Sequence, residues 1–346
     1  QLLLSGSGTV AVEDASAPGL AAAYTALGVP AAWRTALARS LPAELAFDLE
    51  PPGDNGGQTV TVRGPLGQGE LYLRASFAAG LSALAEAPLR VTASLEGDRG
   101  AVLAEQLGFG AATPFRNGDA VLVSASLDGT ATSGFAAQLT GSRADSSLGF
   151  SGQVSIAADG ILQGTGTLSG RNVDATALAA WAGATGIDLP VVSGTADITF
   201  TGNSDVRLTE LAAESDGSAV GGALTLSRTG GSAVVSGELE LGRIAADALA
   251  TALFGSAGLI PGLDVWPEGP IDIGSQPRTS RGSVTLTAPL LSIGPQEWTD
   301  VTLGFGWDET RLRLARLRAG LGGGTLEADV TRSNITAALV GEAGTN

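Results

Sequence analysis

The chain has 346 residues, of which 44% are hydrophobic and 16% are charged. This composition excludes an intrinsically disordered protein. The absence of Cys and His excludes zinc sites, thiol nucleophiles and histidine-based catalysis, so we expect no cofactor, no bound metal and no catalytic residue. The net charge of −16 repels phosphate backbones, and we therefore expect no nucleic-acid partner.

Four short Ala- and Leu-rich segments recur along the chain, each closing on a glycine with a proline soon after. Their glycines, at positions 28, 108, 183 and 255, lie 80, 75 and 72 residues apart, which indicates an array of one repeated unit. The segments predict short helices near residues 19–28, 101–107, 174–182 and 245–254. Asp174 is a plausible N-cap of the third helix. Beyond Pro30, the spacing of Trp33, Leu37 and Leu41 predicts a second amphipathic helix.

Between these segments, apolar and polar residues alternate, which is typical of half-buried antiparallel strands. The clearest examples are residues 59–62, 90–95, 153–156, 195–200, 223–226, 238–241 and 283–286. Hairpin turns are predicted at Asn55-Gly56, Asn117-Gly118, Asp128-Gly129, Asp159-Gly160, Asp216-Gly217 and Gly230-Gly231. The 51 glycines suit many such turns, and each unit should hold roughly five to seven strands and one helix.

The fold class predicted from these patterns is mainly β, an elongated antiparallel sheet punctuated by short helices. We expect one continuous array with unit boundaries at residues 1–28, 29–108, 109–183, 184–255 and 256–346, the last unit carrying a Pro-rich insertion at 262–281. Because the chain begins with Gln1 and lacks Met, we expect it to be a processed product or a fragment.

The last two units repeat one another in detail. Val206-Arg-Leu-Thr-Glu-Leu-Ala-Ala213 is echoed by Leu312-Arg-Leu-Ala-Arg-Leu-Arg-Ala319, and Gly221–Leu224 by Gly323–Leu326. Leu314 and Leu317 have opposite parity, so keeping both on one side requires an extra residue, a β-bulge near Ala315. Such bulges bend a strand and would curl the sheet into a trough.

The order of these motifs resembles that of the AsmA-like family of bacterial envelope proteins. The resemblance is carried by residues 265–272, 282–288, 298–303, 311–314 and 321–326, and it covers roughly residues 190–346. It implies a curled, repeating β-groove that accommodates phospholipid acyl chains in the periplasm, with envelope proteins as further partners. The family's inner-membrane anchor is not in this segment, so anchoring is expected of the parent chain only.

The alternating residues of the last two units are the candidate lining of that groove, with their side chains expected on one face. They are Leu224, Leu226, Leu239, Leu241, Val284, Leu286, Leu303, Phe305, Leu312 and Leu314. Two interpretations of the basic run at Arg311, Arg313, Arg316 and Arg318 stay open: a solvated face paired with Glu309 and Glu327, or contact with a lipid phosphate.

An alternative of another class is an extracellular adhesin or passenger-type β-solenoid that acts as a structural binding module. Its repeats are typically short and lack a helix every 75 residues or so. The helical segments therefore favour a lipid-accommodating groove without enzymatic activity.

Overall fold

A computed structural model describes most of the chain. The described residues are 5–16, 19–26, 31–54, 56–80, 87–107, 120–181, 188–202, 204–229, 232–246, 248–249, 280–308, 312–321, 324–331 and 334–341. The chain divides into two compact units, the first made of Gln1–Val173 with Ile198–Gly202, the second of Asp174–Asp197 with Asn203–Asn346.

In its described residues, unit 1 is a series of antiparallel strands with three short helices. Its elements are β1 (Gly6–Val12), α1 (Leu20–Ala26), α2 (Ala31–Arg39), β2 (Ala43–Leu49), β3 (Gln58–Leu66), β4 (Gly69–Phe77), β5 (Leu89–Gly97), α3 (Gly100–Gln106), β6 (Val121–Thr130), β7 (Gly134–Arg143), β8 (Ser146–Ile156) and β9 (Leu162–Asp174). From β1 to β9, each strand pairs antiparallel with the next in sequence.

Unit 2 continues in the same style but contains a change of direction. Its elements are α4 (Ala175–Trp181), β10 (Val191–Thr201, of which residues 198–201 belong to unit 1), β11 (Asp205–Ser215), β12 (Ser218–Thr229), β13 (Ser232–Leu241), β14 (Ile244–Ala245), β15 (Ser280–Ile293), β16 (Gln296–Trp307), β17 (Leu312–Leu321), β18 (Gly324–Thr331) and β19 (Asn334–Gly341). Strand β15 runs parallel to β13 and β14, whereas the pairs β11–β12, β12–β13 and those from β15 to β19 are antiparallel.

The predicted fold class is confirmed: the protein is mainly β, with a long, mostly antiparallel sheet and a few short helices. All seven alternating segments lie in strands, and α1, α2, α3 and α4 occur where helices were predicted. Of the fourth predicted repeat helix, Ala246, Ala248 and Leu249 are helical, and its remaining residues lie outside the described residues. The four glycines that mark the period and residues 262–279 of the insertion also lie outside the described residues. Ser280 and Arg281, the last residues of the predicted insertion, begin β15.

Two expectations about strand layout were wrong. Among the described residues, the repeats between α2 and α3 and between α3 and α4 hold four strands each, fewer than the five to seven expected, because these strands have 7–13 residues and are longer than average, whereas the repeat after α4 holds five, the last being the two-residue β14. Asp128-Gly129 lies inside β6, and the turn follows at residues 131–133. The turns at Asp159-Gly160 and Asp216-Gly217 are confirmed, while Asn55, Asn117-Gly118 and Gly230-Gly231 lie outside the described residues.

The start of α4 follows the predicted capping. The Asp174 carboxylate accepts a hydrogen bond from the Thr176 backbone N–H at 2.9 Å, which satisfies a donor that the first helical turn leaves free. The Thr176 hydroxyl then joins both backbone groups of Leu189, accepting from its N–H at 2.8 Å and donating to its carbonyl at 3.1 Å. These bonds fix α4 to the segment that enters β10.

The bulge predicted near Ala315 is confirmed. Gly304 pairs with Arg316 and Phe305 with Leu314, so Ala315 has no partner on β16. The same bulge occurs in β11, where Leu208 pairs with Leu224 and Leu211 with Gly222. Both leucines of each motif therefore stay on one face of the sheet.

The register also corrects one of the predicted echoes. Leu317 pairs with Ala328 as Leu211 pairs with Gly222, so Ala328 is the equivalent of Gly222. The echo of Gly221–Leu224 in Gly323–Leu326 is therefore wrong by four residues. Gly324 instead begins β18, four residues before Ala328.

The backbone at Gly222 leaves no room for a side chain, whereas the backbone at its neighbour Gly221 leaves room. Gly222 has a φ of +124°, and a Cβ there would lie 2.1 Å from the Glu238 carbonyl oxygen, whereas a Cβ on Gly221 would meet nothing nearer than 3.5 Å. We expect Gly222→Ala to lower the free energy of unfolding by about 1–3 kcal/mol, since strain and a backbone clash combine.

Gly221→Ala is the matched control and should change stability little. Urea unfolding followed by circular dichroism measures both variants. Equal stability of the two would contradict the described register beside the β11 bulge.

Candidate functional site

The strands of unit 1 place apolar residues on one side in continuous rows. Paired residues of neighbouring strands share a face, so the pairing register gives the rows directly. One row, from β3 to β9, is Val62, Leu73, Ala93, Ala125, Leu139, Phe150 and Leu168. The next row is Val60, Ala75, Val91, Leu127, Ala137, Gly152 and Gly166. We call these two rows the floor of unit 1.

The reverse side of the same strands is polar. The row behind the floor is Thr61, Arg74, Thr92, Ser126, Gln138, Ser151 and Thr167. This side also carries ion pairs, such as that of Arg90, whose Nε donates to the Asp128 carboxylate at 2.8 Å. Such exposed pairs add little stability, so this side behaves as an ordinary wetted surface.

The floor stays partly open to solvent. Most of its side chains are half-buried, Leu139 is 44% exposed, and Phe47 on β2, which pairs with Val62, is 38% exposed. Scattered exposed leucines are common, but a continuous apolar row in which large side chains reach water is uncommon in a soluble domain. From β3 to β9 the floor crosses six strand spacings, which is about 29 Å.

One margin of the floor is covered by α3. Leu103 of α3 is 2% exposed and forms a core cluster with Leu95 and Val121. Half-buried Leu71 and Val123, in the row beside the floor, pack against this cluster. The helix therefore buries the edge of the apolar face and leaves the central rows uncovered.

The other margin is closed by aromatic side chains. Phe135, Ala137 and Val154 form a core cluster, with Phe150 and Phe200 packed against it. The rings of Phe150 and Phe200 meet edge to face with centroids 5.8 Å apart, an arrangement that aromatic pairs favour. The aromatic cluster thus includes part of the floor, Ala137 and Phe150, and bounds it on the side opposite α3.

Glycines make room for these rings. A Cβ on Gly164 would lie 2.9 Å from the Phe200 ring, and one on Gly152 would lie 3.0 Å from the Phe150 ring. Gly152 pairs with Gly166, so the end of the floor at β8 and β9 has no side chain in that row. The apolar face is consequently deeper there than a row of leucines would be.

In unit 2, the register places the predicted lining on one face. Leu239, Leu286 and Leu303 are paired in one row, and Val284, Phe305 and Leu314 in the next. Leu224 pairs with Gly237, Leu226 with Val235, Val220 with Leu241 and Trp307 with Leu312, which places these positions on the same side. The side chains of Leu312 and Leu314 lie outside the described set.

These positions differ in how open they are. Leu303 and Phe305 are 2% and 8% exposed and belong to a core cluster with Ile244, Leu291 and Val301, against which Leu241 and Leu286 pack. Leu224, Leu226, Leu239 and Val284 are only half-buried. This face is therefore part closed core and part accessible, and the floor of unit 1, which sequence reasoning did not single out, is the more open surface.

Unit 2 holds an open cleft of about 950 Å³ that is lined from both faces of the sheet, by acidic residues such as Glu240 and by apolar residues such as Leu241 and Val301. Among the described residues, no group of three or more acidic side chains is placed to hold a metal ion. Of the predicted basic run, Arg316 and Arg318 are exposed, and Arg318 lies 3.8 Å from Glu327. Arg311 lies outside the described residues, as does the side chain of Arg313.

In the described part of the chain, no helix combines the length and the apolar character needed to cross a membrane. Comparisons with protein-family models, with curated proteins and with solved structures find no match to this chain. The apolar floor of unit 1 and the corresponding face of unit 2 are therefore the features from which a function is inferred.

Proposed function

We propose that this protein is a non-enzymatic lipid-accommodating module whose apolar sheet faces hold acyl chains. The observation that carries the proposal is the floor of unit 1, an apolar strip about 29 Å long with partly exposed side chains. When an apolar ligand displaces water from such a surface, the free energy of the system falls. Its length and narrowness suit a flexible chain better than a compact ligand.

The energetics of such a surface suit transfer as well as binding. Each methylene buried from water contributes about 0.8 kcal/mol, whichever floor residues it contacts. An acyl chain that moves along the floor exchanges one set of apolar contacts for a similar set. Movement along it therefore needs no catalytic group.

The location and partners are part of the same proposal. Resemblance to the AsmA-like family favours the periplasm, a tether in the inner membrane, and phospholipids moving between the two membranes as the ligands. Envelope proteins would then be the macromolecular partners. The charged polar side of the strands would face the aqueous periplasm while acyl chains stay on the opposite side.

The alternative, an adhesin or passenger-type β-solenoid, accounts for fewer observations. A solenoid coils short parallel strands, whereas neighbouring strands here are mostly antiparallel and up to 14 residues long. The exposed apolar row would also have no role in a module that binds through its outer surface. We therefore keep the groove as the proposed function.

The sharpest test is a charge at Leu139, the exposed floor residue, compared with a charge at Thr140, which is exposed on the reverse side. Leu139→Asp should weaken binding of a linear acyl probe such as cis-parinaric acid by about tenfold or more, because the chain would meet a hydrated ion. Thr140→Asp should bind like the unaltered protein. Fluorescence titration measures the affinities.

Both variants should keep their circular dichroism spectra, since each new carboxylate reaches water. Equal probe affinity of the two folded variants would argue against the floor as the binding surface. Failure of the unaltered protein to bind any acyl probe would overturn the proposed function.

A second prediction concerns lipid carried through purification. Protein prepared without detergent should release phospholipid on organic extraction, because the floor holds its ligand by apolar burial. Mass spectrometry of the extract measures the amount per protein. The Leu139→Asp preparation should contain less lipid than the Thr140→Asp preparation, and a lipid-free preparation of the unaltered protein would contradict the prediction.

A further inference from the structure

A cleft of about 510 Å³ lies in unit 1, where the end of α2, the turn between β3 and β4 and the helix α3 meet. From α3 it is lined by Val102, Glu105 and Gln106, whose spacing of three and four positions puts them on one face of the helix. The other lining residues are Arg39, Leu41, Gly67 and Gln68. None of these residues belongs to the floor, so the cleft is distinct from the proposed acyl surface.

Hydrogen bonds hold the walls of the cleft in place. The Gly67 N–H donates to the Pro42 carbonyl at 2.7 Å, which ties the turn to the segment that follows α2. Gln106 Nε2 donates to the Leu66 carbonyl at 2.9 Å, and Gln106 Oε1 accepts from the Gln68 N–H at 3.1 Å. Gly67 has a φ of +61°, and a Cβ there would lie 2.5 Å from Gln106 Oε1, so this turn requires glycine. The cleft is therefore formed without a ligand.

Gln106 has a hydrogen-bond donor to spare. Its side chain is 6% exposed, and a primary amide carries two N–H groups on its nitrogen. One of them is used by the Leu66 carbonyl, and within the described residues the other has no acceptor. Because a buried donor without a partner raises the free energy, an acceptor bound in the cleft stabilises this side chain.

The cleft also carries one charge of each sign. The Arg39 guanidinium and the Glu105 carboxylate both line it, and both side chains are exposed. In the described part of the chain, neither forms an ion pair with the other or with a third residue. A ligand that has both an anionic and a cationic group complements this pair of charges, whereas a simple anion meets the Glu105 carboxylate as well.

We propose that this cleft binds a small zwitterion in which a phosphate group is joined to a primary ammonium group. The phosphate takes the Arg39 guanidinium, whose planar fork matches its oxygens, and the spare N–H of Gln106. The ammonium group pairs with Glu105. Several donors on one side suit a phosphate, which has more acceptor oxygens than a carboxylate. The site goes beyond the proposed function and does not depend on it, since the floor takes no part.

The test titrates the whole protein with glycerophosphoethanolamine and follows the side-chain amide of Gln106 by 15N NMR. Its signals should shift on binding, because the spare N–H gains an acceptor. Glycerophosphoglycerol, the same phosphate diester without an ammonium group, should bind about threefold more weakly. Phosphoethanolamine separates the two sources of this chemistry: tighter binding than the diester assigns the site to a free metabolite, and weaker binding assigns it to a lipid head group.

Two variants test the roles of the charges. Arg39→Gln should weaken binding of glycerophosphoethanolamine about tenfold, because a charge-assisted contact is lost. Arg63→Gln is the matched control, since it removes the same charge from an exposed residue of β3 outside the cleft, and it should bind like the unaltered protein. Glu105→Gln should abolish the preference for glycerophosphoethanolamine over glycerophosphoglycerol.

Each of three results overturns the site: equal affinities of Arg39→Gln and Arg63→Gln, a preference that survives in Glu105→Gln, or unchanged Gln106 signals with both zwitterions. The floor is tested separately, because Arg39→Gln should bind cis-parinaric acid like the unaltered protein. Loss of acyl-probe binding in the unaltered protein would overturn the proposed function and leave this site standing.

Discussion

Both apolar faces depend on the register of the strand pairs. Side chains alternate along a strand, so a slip of one residue would turn the whole apolar set of that strand to the reverse side. From β3 to β9 the register runs without a shift. Unit 2 preserves its face in another way, because the bulges at Leu208–Leu211 and Leu314–Leu317 absorb an extra residue. Continuity of the apolar face is thus maintained both by regular pairing and by local irregularity.

Glycine has a second role in this protein besides turn formation. The composition indicated tight turns, yet many glycines lie within strands and support a large side chain on the same face. Gly8 lies beneath the Phe47 ring, Gly97 beneath Leu103, and a Cβ on Gly282 would meet the Trp307 ring at 2.5 Å. Aromatic rings that cover strand glycines shield backbone which a missing side chain would leave exposed. The glycine content therefore shapes the apolar face as well as the loops.

Local patterns allowed the elements to be predicted, while the openness of each surface depends on contacts between distant residues. Alternation in residues 90–95 and 223–226 is a property of neighbours in sequence, and both became strands. Leu303 and Leu139 look alike in sequence, yet Leu303 is covered by residues of β14 and β15, and Leu139 is not covered by either margin of the floor. The echo of Gly221–Leu224 failed for a related reason, since only cross-strand pairing shows which positions are equivalent.

The parallel pair β13–β15 has a consequence for the order in which unit 2 assembles. Ser215 and Ser218 pair across three positions of chain, whereas Ala233 and Ser280 pair across 47. Four doublings of loop length separate these closures, which is roughly 2 kcal/mol of additional chain entropy. Hairpins such as β11–β12 and β15–β16 can therefore form early as local structures, and the parallel joint that unites them forms late. The slowest step in the folding of this unit should be the parallel pairing of β13 with β15, which joins hairpins that have already formed.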